Sequence, residues 1–437
     1  MIDNSIFQNK KVVYHTLGCK LNFAETSAIG KQLSEEGFVK ARAGEEADIC
    51  IINTCSVTDT ADHKCRQAIK RLNRQHPNAF MIVTGCYAQL KPIEISTIEG
   101  VDLVLGANEK FNILSFLKNQ KLHTNAEIHR ADIESIRDFK PSCSKDGRTR
   151  FFLKVQDGCD YFCTYCTIPM ARGKSRNASI TDTVAAAKQA IAEGAKEIVL
   201  TGINTGDFGK STGENFLDLV KALDAIPDTI RIRISSIEPN LLTDEIIQFV
   251  AESKHFMPHF HIPLQSGSNE VLQLMKRRYN TELFATKIKK IKSILPDAFI
   301  GVDVIVGVKG ETDELFNQAL NFIQSLDISQ LHVFSYSERE GTKMLDIQHV
   351  VSKSERKRRS EVLHLVSDKM TKLFYENQIG KVAQVLWESK HNGETMEGFT
   401  NNYVRVERSF DANRINTIET IQLGNWNKER TALTIHS

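Results

Sequence analysis

Short apolar runs alternate with amphipathic stretches from the start of the chain, and the alternation changes character twice. Lys11-Val12-Val13-Tyr14-His15-Thr16-Leu17 reads as a strand ending at Gly18-Cys19, and a helical pattern follows from Asn22 to Gly37. Asp48 to Asn53 is a buried apolar strand ending at Thr54-Cys55, followed by a polar helix from Thr58 to about Arg74. Phe80 to Thr84 is a third strand, ending at Gly85-Cys86, and Val101 to Leu105 a fourth. Strands alternating with helices predict an open parallel α/β sheet over residues 8–130. A polar linker from about Lys121 to Arg150 carries turn signals at Pro141-Ser142 and Lys145-Asp146-Gly147.

Within residues 145–378, six strand-like runs begin near Phe151, Glu197, Ile230, His259, Phe299 and Leu331. Amphipathic stretches lie between them, as at Thr181 to Glu193, Leu241 to Glu252 and Thr281 to Ile294. Six βα units predict a partial (β/α)6 barrel, open on one side, with its site at the C-terminal strand ends. A basic helix, Lys353 to Ile379, leads into residues 379–437. There the alternating runs Val382 to Glu388, Tyr403 to Glu407 and Asn416 to Leu423 predict a small antiparallel β-barrel.

Composition narrows the class without naming a partner. The chain has 437 residues, 41% of them hydrophobic and 25% charged, with a net charge of +2. That is an ordinary balance for a globular protein, so any nucleic-acid footprint must be local. No apolar run approaches the roughly 18 residues of a membrane span, and Met1-Ile-Asp-Asn-Ser lacks the basic start of a signal peptide. Nine cysteines without a secretion signal favour metal ligation in a reducing interior over disulfides, and so a cytoplasmic location.

The densest chemistry lies at Cys159, Cys163 and Cys166, a C-x3-C-x2-C run with Tyr165 before the third thiol. Three thiolates leave one iron of a four-iron cube without a protein ligand, and that iron can bind a second molecule. Tetrahedral zinc would require a fourth ligand, and none follows at finger spacing. Cys19, Cys55 and Cys86 each fall just after a strand end, and in an open parallel sheet those loops share one edge. They could hold a second cluster, although singly each could be a small buried hydrophobe. Cys50 and Cys65, mid-strand and mid-helix, read as core or surface residues, and Cys143 has no evident partner.

Other strand ends of the central segment carry small and polar residues suited to holding a ligand. They are Gly202 and Asn204, then Ser235 and Glu238, then Gln265 and Ser266, and finally Val306. Each alone could be a turn or a helix cap, as Ser266-Gly267-Ser268 also reads. Arg172 and Arg176, just beyond the cysteine run, could meet phosphates or a carboxylate bidentately, or lie on a solvated loop.

These residues carry a resemblance. The Cys159 loop resembles the cluster loop of the radical S-adenosylmethionine (SAM) enzymes. Thr16-Leu17-Gly18-Cys19-Lys20-Leu21-Asn22, Asn53-Thr54-Cys55-Ser56-Val57 and Thr84-Gly85-Cys86-Tyr87-Ala88-Gln89 resemble the three cysteine motifs of the methylthiotransferases. The resemblance covers nearly the whole chain. It implies two [4Fe-4S] clusters, one on Cys19, Cys55 and Cys86 and one on Cys159, Cys163 and Cys166. It also implies SAM contacts from Tyr165 and the strand-end residues named above, with Val306 on the adenine-contacting strand. A SAM would methylate a sulfur on the first cluster, and another would be cleaved at the second to a 5′-deoxyadenosyl radical. The methylthio group would then replace hydrogen on an unactivated carbon. No side chain is needed as a general base.

The tail resembles a TRAM domain, an RNA-binding module. Its two tryptophans, Trp387 and Trp426, could stack on bases or fill the barrel's core, while its seven Lys or Arg against seven Asp or Glu count against strong RNA binding by the tail alone. Arg356-Lys357-Arg358-Arg359 in the preceding helix could supply the missing charge. Within the family, Gly-Cys-Lys-x-Asn resembles the branch acting on N6-threonylcarbamoyladenosine at position 37 of tRNA, where the isopentenyladenosine branch tends to Gly-Cys-Gln-Met-Asn. The implied partners are the tRNA anticodon stem-loop and a low-potential electron donor such as a flavodoxin or ferredoxin. Alternatives are the isopentenyladenosine reaction, methylthiolation of a ribosomal-protein aspartate, and a non-catalytic iron–sulfur RNA-binding protein. Two turns depart from the family: Val308-Lys309-Gly310-Glu311-Thr312 and Arg339-Glu340-Gly341-Thr342 each lack a proline found in many relatives.

Overall fold

Six strands, all parallel, form the N-terminal sheet in the order Val39–Lys40, Lys11–Thr16, Ile49–Thr54, Phe80–Gly85, Leu103–Leu105, Glu127–His129. The short edge strands at either side escape a periodicity reading because neither is long enough to alternate. Ile49–Thr54 is buried at every position, as a central strand covered by helices on both faces must be. The chain is seen in a computed structural model that describes residues 8–118, 126–144 and 149–436. The start at Met1-Ile-Asp-Asn-Ser, the Lys121 end of the linker and the turn at Lys145-Asp146-Gly147 lie outside them.

Strand order reverses between Lys11–Thr16 and Ile49–Thr54, and the loops beyond the carboxyl ends of such a pair border a crevice. Cys19 follows the first strand and Cys55 the second. Cys86 begins a short helix, Cys86–Leu90, at the end of the third. Gly85 permits that turn: its φ is +99°, and a Cβ there would lie 2.4 Å from the Thr54 carbonyl oxygen.

Six further parallel strands, Arg150–Lys154, Glu197–Thr201, Arg231–Ile234, His259–Gln265, Phe299–Val306 and Gln330–Ser335, form the partial barrel. The two halves are joined by bridges from Ile232 to Phe256 and from Ser236 to His261. Phe151, Leu153, Ile198 and Leu200 belong to the large core under the outer helices. Their alternate neighbours Phe152 and Val199 instead pack against Ala24 and Phe23 of helix Lys20–Glu35. The first helix of the N-terminal sheet therefore lies against the inner face of the barrel. Helix Thr281–Ile294 begins where Asn280 accepts from the Leu283 amide.

The last five strands close into a barrel. Trp387 is fully buried in its core and donates to Glu419, while Trp426 stacks on Tyr375 with centroids 5.0 Å apart. Arg231 donates to the carbonyls of Phe399 and Gln384, and Arg233 to those of Thr400 and Asn401. This seats the tail barrel on the wall of the larger one. Within the basic helix, Lys353–Glu376, Arg356 and Arg359 are buried and paired with Glu338, Glu311, Asp313 and Glu355. Half of the Arg356–Arg359 run therefore faces inward and adds nothing to an RNA-facing surface.

The two proline-free turns are held by side chains. Glu311 accepts from the Gly307 amide at 2.6 Å and pairs with Arg359, and Thr312 caps helix Asp313–Gln324. Arg339 is buried against Asp59 and Asp62 in the first turn of helix Asp59–Gln75, with Glu340 exposed beside it.

Candidate active site

Cys19, Cys55 and Cys86 lie within electrostatic reach of one another, as do Cys159, Cys163 and Cys166. All six are free thiols. Burial, then mutual proximity, pushes Cys55 and Cys166 up to about 12, and burial likewise raises Cys86. Cys19 is exposed, whereas the enclosed thiols resist ionising, and bound iron would reverse that by stabilising their thiolates. Neither trio lies within the 4.8 Å mutual spacing that a single ion would require. A cube, with ligands at separate corners, tolerates the wider spacing. The donor sets fit two clusters: Cys19, Cys55 and Cys86 would hold one, and Cys159, Cys163 and Cys166 the other.

Local geometry shapes the second loop. Gly158 has φ +71°, and a Cβ there would sit 2.0 Å from the Lys174 carbonyl oxygen. Phe162 adopts φ +50° between the first two thiols, a conformation that bulky residues rarely take. The Ile168 amide donates to Cys166 Sγ at 3.4 Å, a hydrogen bond of the kind that tunes a cluster's potential.

Arg277 escaped the sequence reading. Its Nη1 lies 2.9 Å from Cys163 Sγ, its Nη2 donates to Glu238, and its Nε lies 3.1 Å from the Tyr279 hydroxyl. It thus ties a cluster thiol to a strand-end carboxylate. The only trace in sequence is the basic run Lys276-Arg277-Arg278, which looks like a surface turn.

The strand-end residues line up along the same rim. Asn204 and Ser266 are almost wholly buried, Ser235 and Val306 are buried, and Gly202 and Tyr165 are half-buried. Glu238 is raised, because burial outweighs the Arg277 guanidinium. Gln265 sits at a strand irregularity with φ +66°, strain of the kind found at ligand clamps. Among the described residues, Asn204 Nδ2 and Gln265 Oε1 are buried without a hydrogen-bond partner. Orphaned donors and acceptors beside a three-thiol loop fit a polar cofactor such as SAM.

Arg172 and Arg176 are neither solvated nor open to phosphates, and this corrects the sequence expectation. Arg172 is 2% exposed; it pairs with Glu25 at 3.0 Å and Asp157 at 2.9 Å, and donates to Asn22 at 2.6 Å. Arg176 pairs with Asp157 at 2.9 Å and donates to the Arg172 carbonyl. Lys110 and Lys154 complete the network on Glu25, at 2.6 and 3.0 Å. Burial opposes ionisation of Glu25, but Arg172, Lys110 and Lys154 together hold it well below the usual carboxylate range. Asn22 in turn donates to the Leu17 and Thr54 carbonyls, fixing the loops that carry Cys19 and Cys55. The two arginines lock one cysteine site to the other.

Within the barrel, His261 Nε2 lies 2.7 Å from Asp303 Oδ1, with His332 Nδ1 at 3.7 Å. Lys20, next to Cys19, lies within electrostatic reach of Asp303, Tyr403, Arg150 and Arg233, and burial lowers its pKa.

Residues 11–106 match a family described as Uncharacterized protein family UPF0004, and residues 153–323 match the Radical SAM superfamily. Over most of its length the chain is 40% identical to a Bacillus subtilis protein named threonylcarbamoyladenosine tRNA methylthiotransferase MtaB, covering 90% of this chain and 89% of that one. It is 34% identical to the protein of the same name in Thermotoga maritima, covering 96% of each. A Desulfitobacterium hafniense tRNA-2-methylthio-N(6)-dimethylallyladenosine synthase is 31% identical over 94% of each chain. Among solved structures, the radical SAM methyltransferase TsrM of Kitasatospora setae superposes with a TM-score of 0.53 at 14% identity, covering 75% of each chain, a likeness of fold.

Proposed function

Because this chain belongs to the MtaB-type methylthiotransferase family, we propose that it methylthiolates C2 of N6-threonylcarbamoyladenosine at position 37 of tRNA. The observation that carries this reading is the meeting of two three-thiol sites across the buried Arg172 network, with relatives of that name matching along most of the chain. When bound, the two clusters and SAM supply one-electron SAM cleavage and the sulfur and methyl group to be inserted.

The protein's own residues position and enclose. Cys159, Cys163 and Cys166 would hold one cluster with an iron left open for SAM. Asn204, Gln265 and Glu238 would take polar groups of the cofactor, and Ser235, Ser266, Gly202, Tyr165 and Val306 would shape its pocket. Arg277 holds Glu238 and the Cys163 sulfur in fixed relation. Cys19, Cys55 and Cys86 would present the other cluster toward the barrel interior, where helix Lys20–Glu35 already lies. No side chain has to move a proton for the radical step.

The anticodon stem-loop is the RNA element this reading requires, and a flavodoxin or ferredoxin of low potential would supply the electron in the cytoplasm. Among the described residues, no helix is long and apolar enough to cross a membrane.

Mass spectrometry of tRNA nucleosides from cells with and without the gene tests the proposal. Loss of 2-methylthio-N6-threonylcarbamoyladenosine is expected. Loss of the isopentenyladenosine counterpart instead would replace the substrate, and no change in either would overturn the tRNA reading.

A further inference from the structure

One cation beside the first cysteine site has no anion. Lys20 opens helix Lys20–Glu35 directly after Cys19, and its charge is felt by His259, Asp303, His332 and Tyr403. Among the described residues its ammonium has neither a hydrogen bond nor an ion pair. Its neighbours are all satisfied. Arg150 pairs with Glu388, and Arg233 with Glu197. Lys110, Lys154 and Arg172 share Glu25. Asp303, an acid within reach of Lys20, is engaged by His261.

Lys20 is half-buried, and an unpaired charge drawn away from water is costly unless something arrives to pair with it. His261, Asp303 and His332 have ligand atoms within 4.8 Å of one another and could ring a metal ion. Lys20, whose charge is felt at both Asp303 and His332, opposes that. The same charge favours an anion.

We infer that Lys20 is a specificity-determining residue that receives the carboxylate of the threonylcarbamoyl group on the substrate adenosine. This rests on the reading of the function given above. The chemistry of the nucleoside supports the placement. The threonylcarbamoyl group hangs from N6, and in the adenine ring only N1 separates C6 from the reacting C2. A residue adjacent to Cys19 is therefore near both the sulfur to be inserted and the N6 substituent. A dimethylallyl group at N6 is neutral hydrocarbon and would shield the ammonium from water without pairing with it, so the site discriminates against it.

Binding of anticodon stem-loop RNAs to the cluster-loaded protein, measured without SAM, tests the inference. The RNAs carry threonylcarbamoyladenosine, its threoninamide analogue or isopentenyladenosine. The wild-type protein should bind the carboxylate form at least about tenfold more tightly than the amide, the size expected of a hydrogen bond to a charged group. Lys20→Gln should bring that ratio close to one, while Lys20→Arg should keep most of it. Visible and electron paramagnetic resonance spectra report whether the neighbouring cluster is intact. Retained discrimination in Lys20→Gln overturns the role of Lys20 and leaves the substrate reading standing. If Lys20→Arg loses the preference together with the cluster spectrum, Lys20 supports the cluster and the inference falls. A wild-type protein that prefers isopentenyladenosine RNA overturns the substrate reading as well.

Discussion

Arg172, just beyond the second cysteine loop, and Glu25 of helix Lys20–Glu35 meet 3.0 Å apart, 147 residues distant in sequence and both almost wholly buried. With Asp157, Lys110, Lys154 and Arg176 they form the contact that registers one three-thiol site against the other.

Breaking that contact on one side should be severe. Glu25→Gln leaves three buried cations short of an anion and is expected to cost about 3 to 5 kcal/mol of stability. Denaturant unfolding of the variant against the parent measures it. The network also sets an acid limit. Glu25 is held below its usual range, so its stabilisation is present above the unfolded carboxylate pKa and is lost as pH falls through the folded value. In Glu25→Gln the unfolding midpoint should be less sensitive to acid than in the parent.

Iron content separates the two cysteine sites. Anaerobic reconstitution should give about eight irons per chain. Cys163→Ala should lose about half of them and all reductive SAM cleavage, while the N-terminal cluster keeps its signal. Four irons in the well-folded parent would remove one of the two clusters.

Arg277→Met should retain iron yet weaken SAM use. The substitution removes the charged hydrogen bond to Cys163 and frees Glu238, so SAM cleavage is expected to fall at least about tenfold. A shift in the reduced cluster's magnetic resonance signal should accompany it. Unaltered cleavage would show that the Arg277 bridge is only structural.

Gly158→Ala is a test of backbone placement. A Cβ would collide with the Lys174 carbonyl at a positive φ, and nothing flexible is there to yield. A loss of about 2 to 4 kcal/mol is expected from combined strain and overlap. Iron loss confined to the second cluster would show that the loop, not the whole fold, has moved.

Much of this architecture was legible along the chain because its signals are local. Apolar runs place the central strands, the amphipathic stretch from Thr281 to Ile294 coincides with a helix, and each cysteine of the first trio follows a strand. What was illegible depends on distant partners. Arg172 and Arg176 follow the cluster loop as a basic run would, but their anions, Glu25 and Asp157, come from another domain and from the preceding strand end. Arg277 and Lys20 carry no motif for their roles, since each is defined by groups gathered from several strands. The tail's aromatic rings could have been core or stacking surface in sequence; Trp387 is core, and Phe399 and Tyr403 face Arg150 within about the range of a cation–π contact.

The seat of the tail barrel has a practical meaning for dissecting the protein. Arg231 and Arg233 reach four backbone carbonyls of that barrel from buried positions in the larger wall. A chain cut near Gly380 would leave Arg231 without its carbonyl partners and Arg233 with Glu197 alone, so its defects would report a damaged barrel wall as much as the loss of the tail itself. The tail is a cornerstone, not a detachable cassette. Whether it touches RNA is a question for single exposed substitutions, not for truncation or exchange.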